Sequence, residues 1–339
     1  MSRDLYLAIA VMAAAVLSFA AGAAAQTCTA TMTDMNFGNV EVALNQNVDI
    51  TGTVSINCTG ANLNGQLRLC LHLCEGSGGM DASDAHPRTM NNSSGLQYNI
   101  YQDGGLTQVW GARGTAGNTY CSSSAWGSKN LALAQSPFAD ASGNYSGTIT
   151  AFGRVFAGQT TMALGSYSSS FTATTNSQSR FVLAYRNCCL ACNSLASFQT
   201  TSAPFTVSAN VAPSCFVTAS DLNFGSDSLL SSDIDATSMV SVTCALGQAY
   251  SLSLNQGTTP GSTTTMRLMK HGSSAATVPY RLFSDPVRGQ NWGNSASDDV
   301  DGTGTGSAVN HTVYGRVPAQ LVAPQAGAYS NTITVTVSY

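Results

Sequence analysis

Charge is what this sequence has least of. Thirteen Lys and Arg stand beside 17 Asp and Glu, so only 9% of the 339 residues are charged, where about 25% is usual. The formal balance of −4 leaves no electrostatic case for nucleic acid or anionic lipid as a partner. Long apolar runs are missing after residue 25, so no later stretch is long enough to span a bilayer. A sustained 3.6-residue apolar period is missing too, which argues against a helical fold. The four histidines, His72, His86, His271 and His311, stand in no motif that prepares a serine or cysteine nucleophile. Catalysis has no support, and no cofactor is expected.

The first 25 residues combine Arg3, an apolar core and a small-residue A-x-A ending at Ala25. They read as a secretory signal peptide cut before Gln26, since the Ala-Ala-Gly-Ala-Ala-Ala tail fits cleavage better than a membrane anchor. All ten cysteines follow that site. In an oxidising compartment an even number predicts up to five disulfides.

An internal repeat sets the architecture. CTATMTDMNFGN from Cys28 returns as CFVTASDLNFGS from Cys215, and the next cysteine follows 30 residues on (58 − 28) in one copy and 29 on (244 − 215) in the other. LQYNIYQDGGLTQVWG ending at Gly111 returns as VPYRLFSDPVRGQNWG ending at Gly293. TAFGRVFAGQ matches HTVYGRVPAQ, and GSYSSSFTATT from Gly165 matches GAYSNTITVTV from Gly327. The blocks keep their order, so the chain holds two copies of one domain, expected at residues 26–212 and 213–339. Val48, Ile50, Val54, Ile56 and Cys58 share one parity, as do Val240, Val242 and Cys244. Many short alternating strands broken by Gly, Ser and Asn predict an all-β protein of two β-sandwiches. In the second copy strands are expected near 215–224, 237–244, 248–255, 264–270, 278–284, 309–317 and 328–339. Cys28 with Cys58, and Cys215 with Cys244, occupy matching places, which predicts one bridge between the first two strands of each copy.

The opening Cys with Phe-Gly about nine residues on, the second Cys, YGR, and GAY…TVTVSY at the end together resemble the spore coat protein U domain. That family occurs in pilins and tip subunits of archaic chaperone–usher fimbriae. A two-domain chain of this kind is similar to a Csu-type tip adhesin, with an N-terminal binding domain and a C-terminal pilin domain. The resemblance implies immunoglobulin-like sandwiches, the C-terminal one lacking its last strand. It implies a periplasmic chaperone, an outer-membrane usher and a next pilus subunit as partners, with chaperone and subunit in turn lending a strand. It also implies export through the periplasm to the fimbrium tip, and attachment to an abiotic or host surface.

The residues agree in two places. Ile333, Val335, Val337 and Tyr339 alternate with polar residues up to the last position, an edge expected to accept a donor strand. PFTVSANV puts Phe205, Val207, Ala209 and Val211 on one face, so the first copy is expected to close itself, the alternative being a plain linker. Cleavage would leave only Gln26 and Thr27 before Cys28, too little to donate, and the subunit is therefore expected at a tip.

Candidate surface-binding residues come from loops in which the first copy exceeds the second. They are Val42, Ala43 and Leu44, Leu131, Ala132 and Leu133 within NLALAQSPF, and Val109 and Trp110. Exposed at one pole they would form a contact site; the alternative is that they cap the core. Trp110 has a counterpart in Trp292, which argues for structure, whereas Trp126 has none. Cys70, Cys74, Cys121, Cys188, Cys189 and Cys192 belong to the first copy alone. CLHLC suggests zinc, but positions i and i+4 of a strand lie about 13 Å apart, so bridges to Cys121 and the 188–192 segment are preferred and no metal is expected. DDVDGTGTGS has no helix to make it a phosphate loop; calcium is an alternative to a plain connection. A sugar-specific lectin and a structural coat protein are the rival functions.

Overall fold

The computed structural model describes residues 25–80, 87–91, 95–112, 121, 131–174, 177–187, 190, 192 and 198–339. Apart from one 3-10 turn at Val42–Leu44, the regular structure of those residues is strand. The first copy forms β1 (Thr27–Met32), β2 (Met35–Val40), β3 (Val48–Thr59), β4 (Leu67–Leu73), β5 (Arg88–Thr89) and β6 (Gln97–Tyr101). It continues with β7 (Leu133–Gln135), β8 (Tyr145–Val155), β9 (Gly165–Ser170), β10 (Phe181–Asn187), β11 (Gln199–Ser202) and β12 (Thr206–Val211). These pair in the orders β1-β3-β8-β6-β5, β11-β10-β4-β7 and β2-β12-β9. The period of two seen in the sequence is a burial pattern here: β3 buries Gly52, Val54, Ile56 and Cys58 and exposes the residues between or leaves them half-covered. β4 is buried on both faces, which is why CLHLC carries no polar–apolar alternation.

The second copy forms β13 (Cys215–Ala219), β14 (Ile234–Cys244), β15 (Ala249–Leu254), β16 (Arg267–His271) and β17 (Thr277–Phe283). β18 (Val300–Thr303), β19 (Val309–Val317), β20 (Tyr329–Ser330) and β21 (Val335–Ser338) complete it. Its sheets run β13-β14-β19-β17-β16-β20 and β18-β15-β21. Between them lies a core of Val240, Val242, Leu252, Leu254, Tyr280, Leu282, Trp292 and Val313. Two expected strands are cut short. The one expected at 215–224 ends at Ala219, and the one expected at 328–339 splits into β20 and β21, which belong to different sheets.

The copies share their internal fastenings. Cys28 lies opposite Cys58 and Cys215 opposite Cys244 in antiparallel register, and each pair is a disulfide. Cys70 is joined to Cys192 and Cys74 to Cys121, so the two cysteines of CLHLC enter separate bridges. Cys188 and Cys189 lie outside the described residues.

A second fastening carries no motif. Arg88 is buried and donates to the carbonyls of Leu73, Cys74 and Trp110. Arg267 is buried likewise and donates to those of Leu254, Asn255 and Trp292. Each tryptophan completes the knot, Trp110 Nε1 donating to Leu71 O at 3.1 Å and Trp292 Nε1 to Leu252 O at 2.9 Å. Burial lowers both guanidinium pKa values to about 10, so the side chains stay charged at neutral pH and satisfy strand-end carbonyls that would otherwise be orphaned.

The described residues group into two compact units. The first takes residues up to Asn36 with Asp49–Arg154 and Ser168–Val207, and the second takes Phe37–Val48, Val155–Tyr167 and Ser208–Tyr339.

Candidate functional site

The copies differ most clearly at one strand position. In the first, β12 lies between β2 and β9. Thr206 N donates to Asp34 Oδ1 near the start of β2, and Ala212 N donates to Val40 O at its end, so β12 runs parallel to β2. Phe171 N, just past β9, donates to Phe205 O, which makes β12 antiparallel to β9. Phe205, Val207, Ala209 and Val211 are all buried, and Phe205 stacks on Phe171 with centroids 4.5 Å apart. The alternation in PFTVSANV is thus that of a closing strand.

Counting from the cysteines, Met35 and Phe37 of β2 correspond to Leu222 and Phe224; counting from Gly165 and Gly327, Phe171 corresponds to Ile333. Among the described residues, no strand pairs with 222–226 or with 331–334. These are the two places where the expected strands were cut, and they are the rims that in the first copy hold β12. Exposure agrees: Met35, Phe37 and Phe171 are buried, whereas Leu222, Phe224 and Ile333 are half-buried. Leu222, Phe224, Ile333, Val335 and Val337 are all packed against the core yet only partly buried, and they line the position that β12 fills in the first copy. Tyr339, the last of the expected edge residues, is 59% exposed. Gly315 of the YGR motif forms the floor, since a Cβ there would stand 2.8 Å from Leu222 Cδ1 and 2.9 Å from Phe224 Cζ.

In the first unit, three loops are bound to one another at the end of β3. Ala61 N donates to Gly143 O, Asn64 N to Asp140 O, and Ala139 N to Gly65 O. Arg68 reaches across, its Nε donating to Leu190 O at 3.0 Å and its guanidinium to Ser136 Oγ at 2.6 Å. Gly143 sits at φ +76 with Ala61 O only 2.5 Å from where a Cβ would project, so the approach of these loops requires glycine. Each loop carries an exposed apolar side chain: Leu63 at 69%, Phe138 at 66% and Leu190 at 38%. Beside Phe138 an open hollow of about 440 Å³ is lined by Asn57, Asp140, Asn144 and Tyr145.

The residues expected to form exposed tips are placed differently. Val42 and Ala43 are 6% and 5% exposed, in a turn where Ala43 N donates to Ser214 Oγ; only Leu44 reaches 38%. Trp110 is fully buried in the knot with Arg88. Leu131 and Val109 are half-buried against Cys74, Ala112 and Cys121. Ala132 and Leu133 are half-buried as well, and Leu133 lies opposite Leu71 because 133–135 is an edge strand on β4 and not a loop. Exposure of Val42, Ala43 and Trp110 is therefore corrected, and the two runs fall in different units. Trp126 and His86 lie outside the described residues. Leu63, Phe138 and Leu190 were missed. The signal for Leu63 was a single leucine framed by turn residues in Asn-Leu-Asn-Gly, and Phe138 closes the stretch NLALAQSPF.

Comparison with known proteins gives the same picture. The family model of the Spore Coat Protein U domain matches residues 14–174 and again 201–336. Protein U of Myxococcus xanthus is 30% identical over 145 residues, which make up 39% of this chain and 80% of that protein. Among solved structures, the CsuC–CsuE chaperone–tip adhesion subunit pre-assembly complex of the archaic chaperone–usher Csu pili of Acinetobacter baumannii superposes with a TM-score of 0.52. The match has 16% identity and spans 92% of this chain and all of the matched chain. At that identity the overlap speaks for the fold. Two separate matches to one family model, in the two copies read from the sequence, place this chain in the spore coat protein U domain family.

Proposed function

We propose that this protein is an exported fimbrial tip adhesin, whose second copy is plugged into the fibre by a strand from the next subunit and whose first copy binds a surface. The observation that carries this reading is the strand position filled by β12 in one copy and open in the other. An open position with apolar side chains on its floor and unpaired backbone on its rims is what strand addition requires. The register of β12 gives the expected geometry: a donor parallel to 222–226, antiparallel to 331–334, with every second side chain apolar. A periplasmic chaperone and an outer-membrane usher are the partners this assembly route calls for. Attachment, and biofilm initiation with it, falls to Leu63, Phe138 and Leu190, three apolar tips on loops bound into one group.

The test is the full chain made in the periplasm with and without the chaperone and a donor peptide. The second copy is expected to be degraded or aggregated alone and rescued by either. A full chain that is soluble, monomeric and cooperatively folded with neither would refute the reading. The hollow beside Phe138 favours a second reading, a lectin-type adhesin, because an aromatic ring and the amides of Asn57 and Asn144 line it. Adsorption to a bare hydrophobic surface in excess free sugar separates the two: the apolar-tip reading expects no competition.

A further inference from the structure

We propose that Leu229, Leu321 and Val322 form a docking face for the folded body of the subunit whose strand enters the open position. The inference rests on the strand-acceptor reading and adds a second contact to it.

The first copy shows where a chain goes beyond an inserted strand. β12 ends at Val211, and β13 begins at Cys215 after only three intervening residues. Three residues span at most about 10 Å, so the chain leaving the strand must land beside the loops at that end of the position. It does so within the second unit. Ala212 N donates to Val40 O, and Ala43 N to Ser214 Oγ. Ala163 bridges Leu246, and Thr160 O is so near Gly306 that a Cβ there would approach it to 2.5 Å. Val42, Ala43, Gln159 and Ser214 are buried as a result.

The second copy has the same two loops with their apolar side chains uncovered. By the repeat, Leu229 and Leu230 correspond to Val42 and Ala43, and Leu321 and Val322 to Gln159 and Thr160. Gln320 N donates to Leu230 O at 2.8 Å, so the loops are neighbours. Leu229 is 60% exposed, Leu321 106% and Val322 81%, where Val42 is 6% and Gln159 9%. From Val317 to Ala328 the sequence holds no charged residue. The Leu229 loop holds Asp227, which accepts from Leu229 N and Leu230 N, and Asp233, which pairs with Arg316. Apolar side chains this exposed on adjoining loops are a contact surface. Because the donor strand must run parallel to 222–226, it leaves the open position at this end. A donor built like the first copy, with its body a few residues beyond its strand, meets Leu229, Leu321 and Val322 directly. The occupant is therefore a partly apolar face of a domain of this same family.

Photocross-linking in assembled fibres tests this with benzoylphenylalanine placed at position 321 of the full chain, and separately at position 224 as a reporter of the strand. Both are expected to label one neighbouring subunit, position 224 on its N-terminal extension and position 321 on residues beyond that extension. Labelling from 224 without labelling from 321 overturns the docking face and leaves strand acceptance standing. Labelling from neither removes the strand-acceptor reading as well, and labelling from 321 onto a second copy of this chain overturns the proposed occupant. In parallel, the pair Leu321→Ser and Val322→Ser should keep chaperone binding and fibre entry while tips are shed about tenfold faster in mild denaturant, a loss expressed in the off-rate. Shedding at the original rate overturns the proposal.

Discussion

Replacing Phe138 and Leu63 by serine should abolish attachment while sparing the fold. Full burial of a Leu or Phe side chain is worth about 1.5–3 kcal/mol relative to exposure. Scaled by the exposures of 69%, 66% and 38%, covering Leu63, Phe138 and Leu190 on a surface would contribute about 3–5 kcal/mol per molecule. Leu63 and Phe138 carry most of that, so the double variant should lose about 2–4 kcal/mol per tip, roughly 30- to 800-fold in a single-tip equilibrium. Many tips in parallel would magnify the difference in retention. The folded state has less to lose, since only about a third of each side chain is covered, and the cost there is on the order of 1 kcal/mol. The assay pairs adsorption of displayed fibres on a hydrophobic plastic with display level and melting temperature. Trp110→Ser serves as the contrast, because Trp110 is fully buried and donates to Leu71 O; it should cost about 3–5 kcal/mol of stability and remove display. Normal display with unchanged adsorption in the Leu63/Phe138 variant would refute the reasoning. A large fall in melting temperature would show that these side chains act in the fold.

Arg267→Met should destabilise the second copy by several kcal/mol, because it strands the carbonyls of Leu254, Asn255, Thr264 and Trp292 at about 1–3 kcal/mol each; denaturant unfolding of the donor-loaded protein checks this, and Arg88→Met should do the same in the first copy. Gly315→Val should weaken donor-peptide capture by about tenfold or more, since the added atoms push Leu222 and Phe224 off the floor of the open position; capture at the original affinity would argue that the donor lies elsewhere. Mass mapping of non-reduced peptides should recover Cys70 with Cys192 and Cys74 with Cys121, and a different partner for either would overturn that pairing.

Much of the fold was legible because it repeats. Two cysteine pairs, two tryptophans and alternating strands recur in one order, and each recurrence marks a physical requirement met twice. The face Phe205, Val207, Ala209 and Val211 could be read as a strand because all four are covered at once. The candidate tips were less legible, for a definite reason. A short apolar run in a loop has the same composition whether it caps a core or meets solvent. Val42 and Ala43 are covered where the chain passes from β12 to β13, a contact that no local pattern records. Leu133 was read as loop because three residues of edge strand, opposite Leu71, are too short to show a period. Arg88 and Arg267 gave no warning at all, since an isolated arginine looks like a solvated one until the carbonyls around it are in view.

Where the expected strands failed, the failure locates the site. The segment expected as one strand at 215–224 is strand only as far as Ala219, and the segment expected at 328–339 is strand near both ends but not at 331–334. In the first copy the stretch corresponding to 222–226 is strand and the one corresponding to 331–334 begins as strand at the end of β9, with β12 lying between them. The sequences of the two copies are close enough here, MNFG beside LNFG, that intrinsic propensity does not explain the difference. What differs is whether a third strand lies between them. Three large side chains of β12 and its lead-in, Phe205, Val207 and Val211, are buried in its place, a contribution of about 5–9 kcal/mol that is as large as the net stability of many domains. On the strand-acceptor reading proposed above, a copy that lacks this contribution is held near the edge of stability until another chain supplies it, which would tie its folding to its assembly.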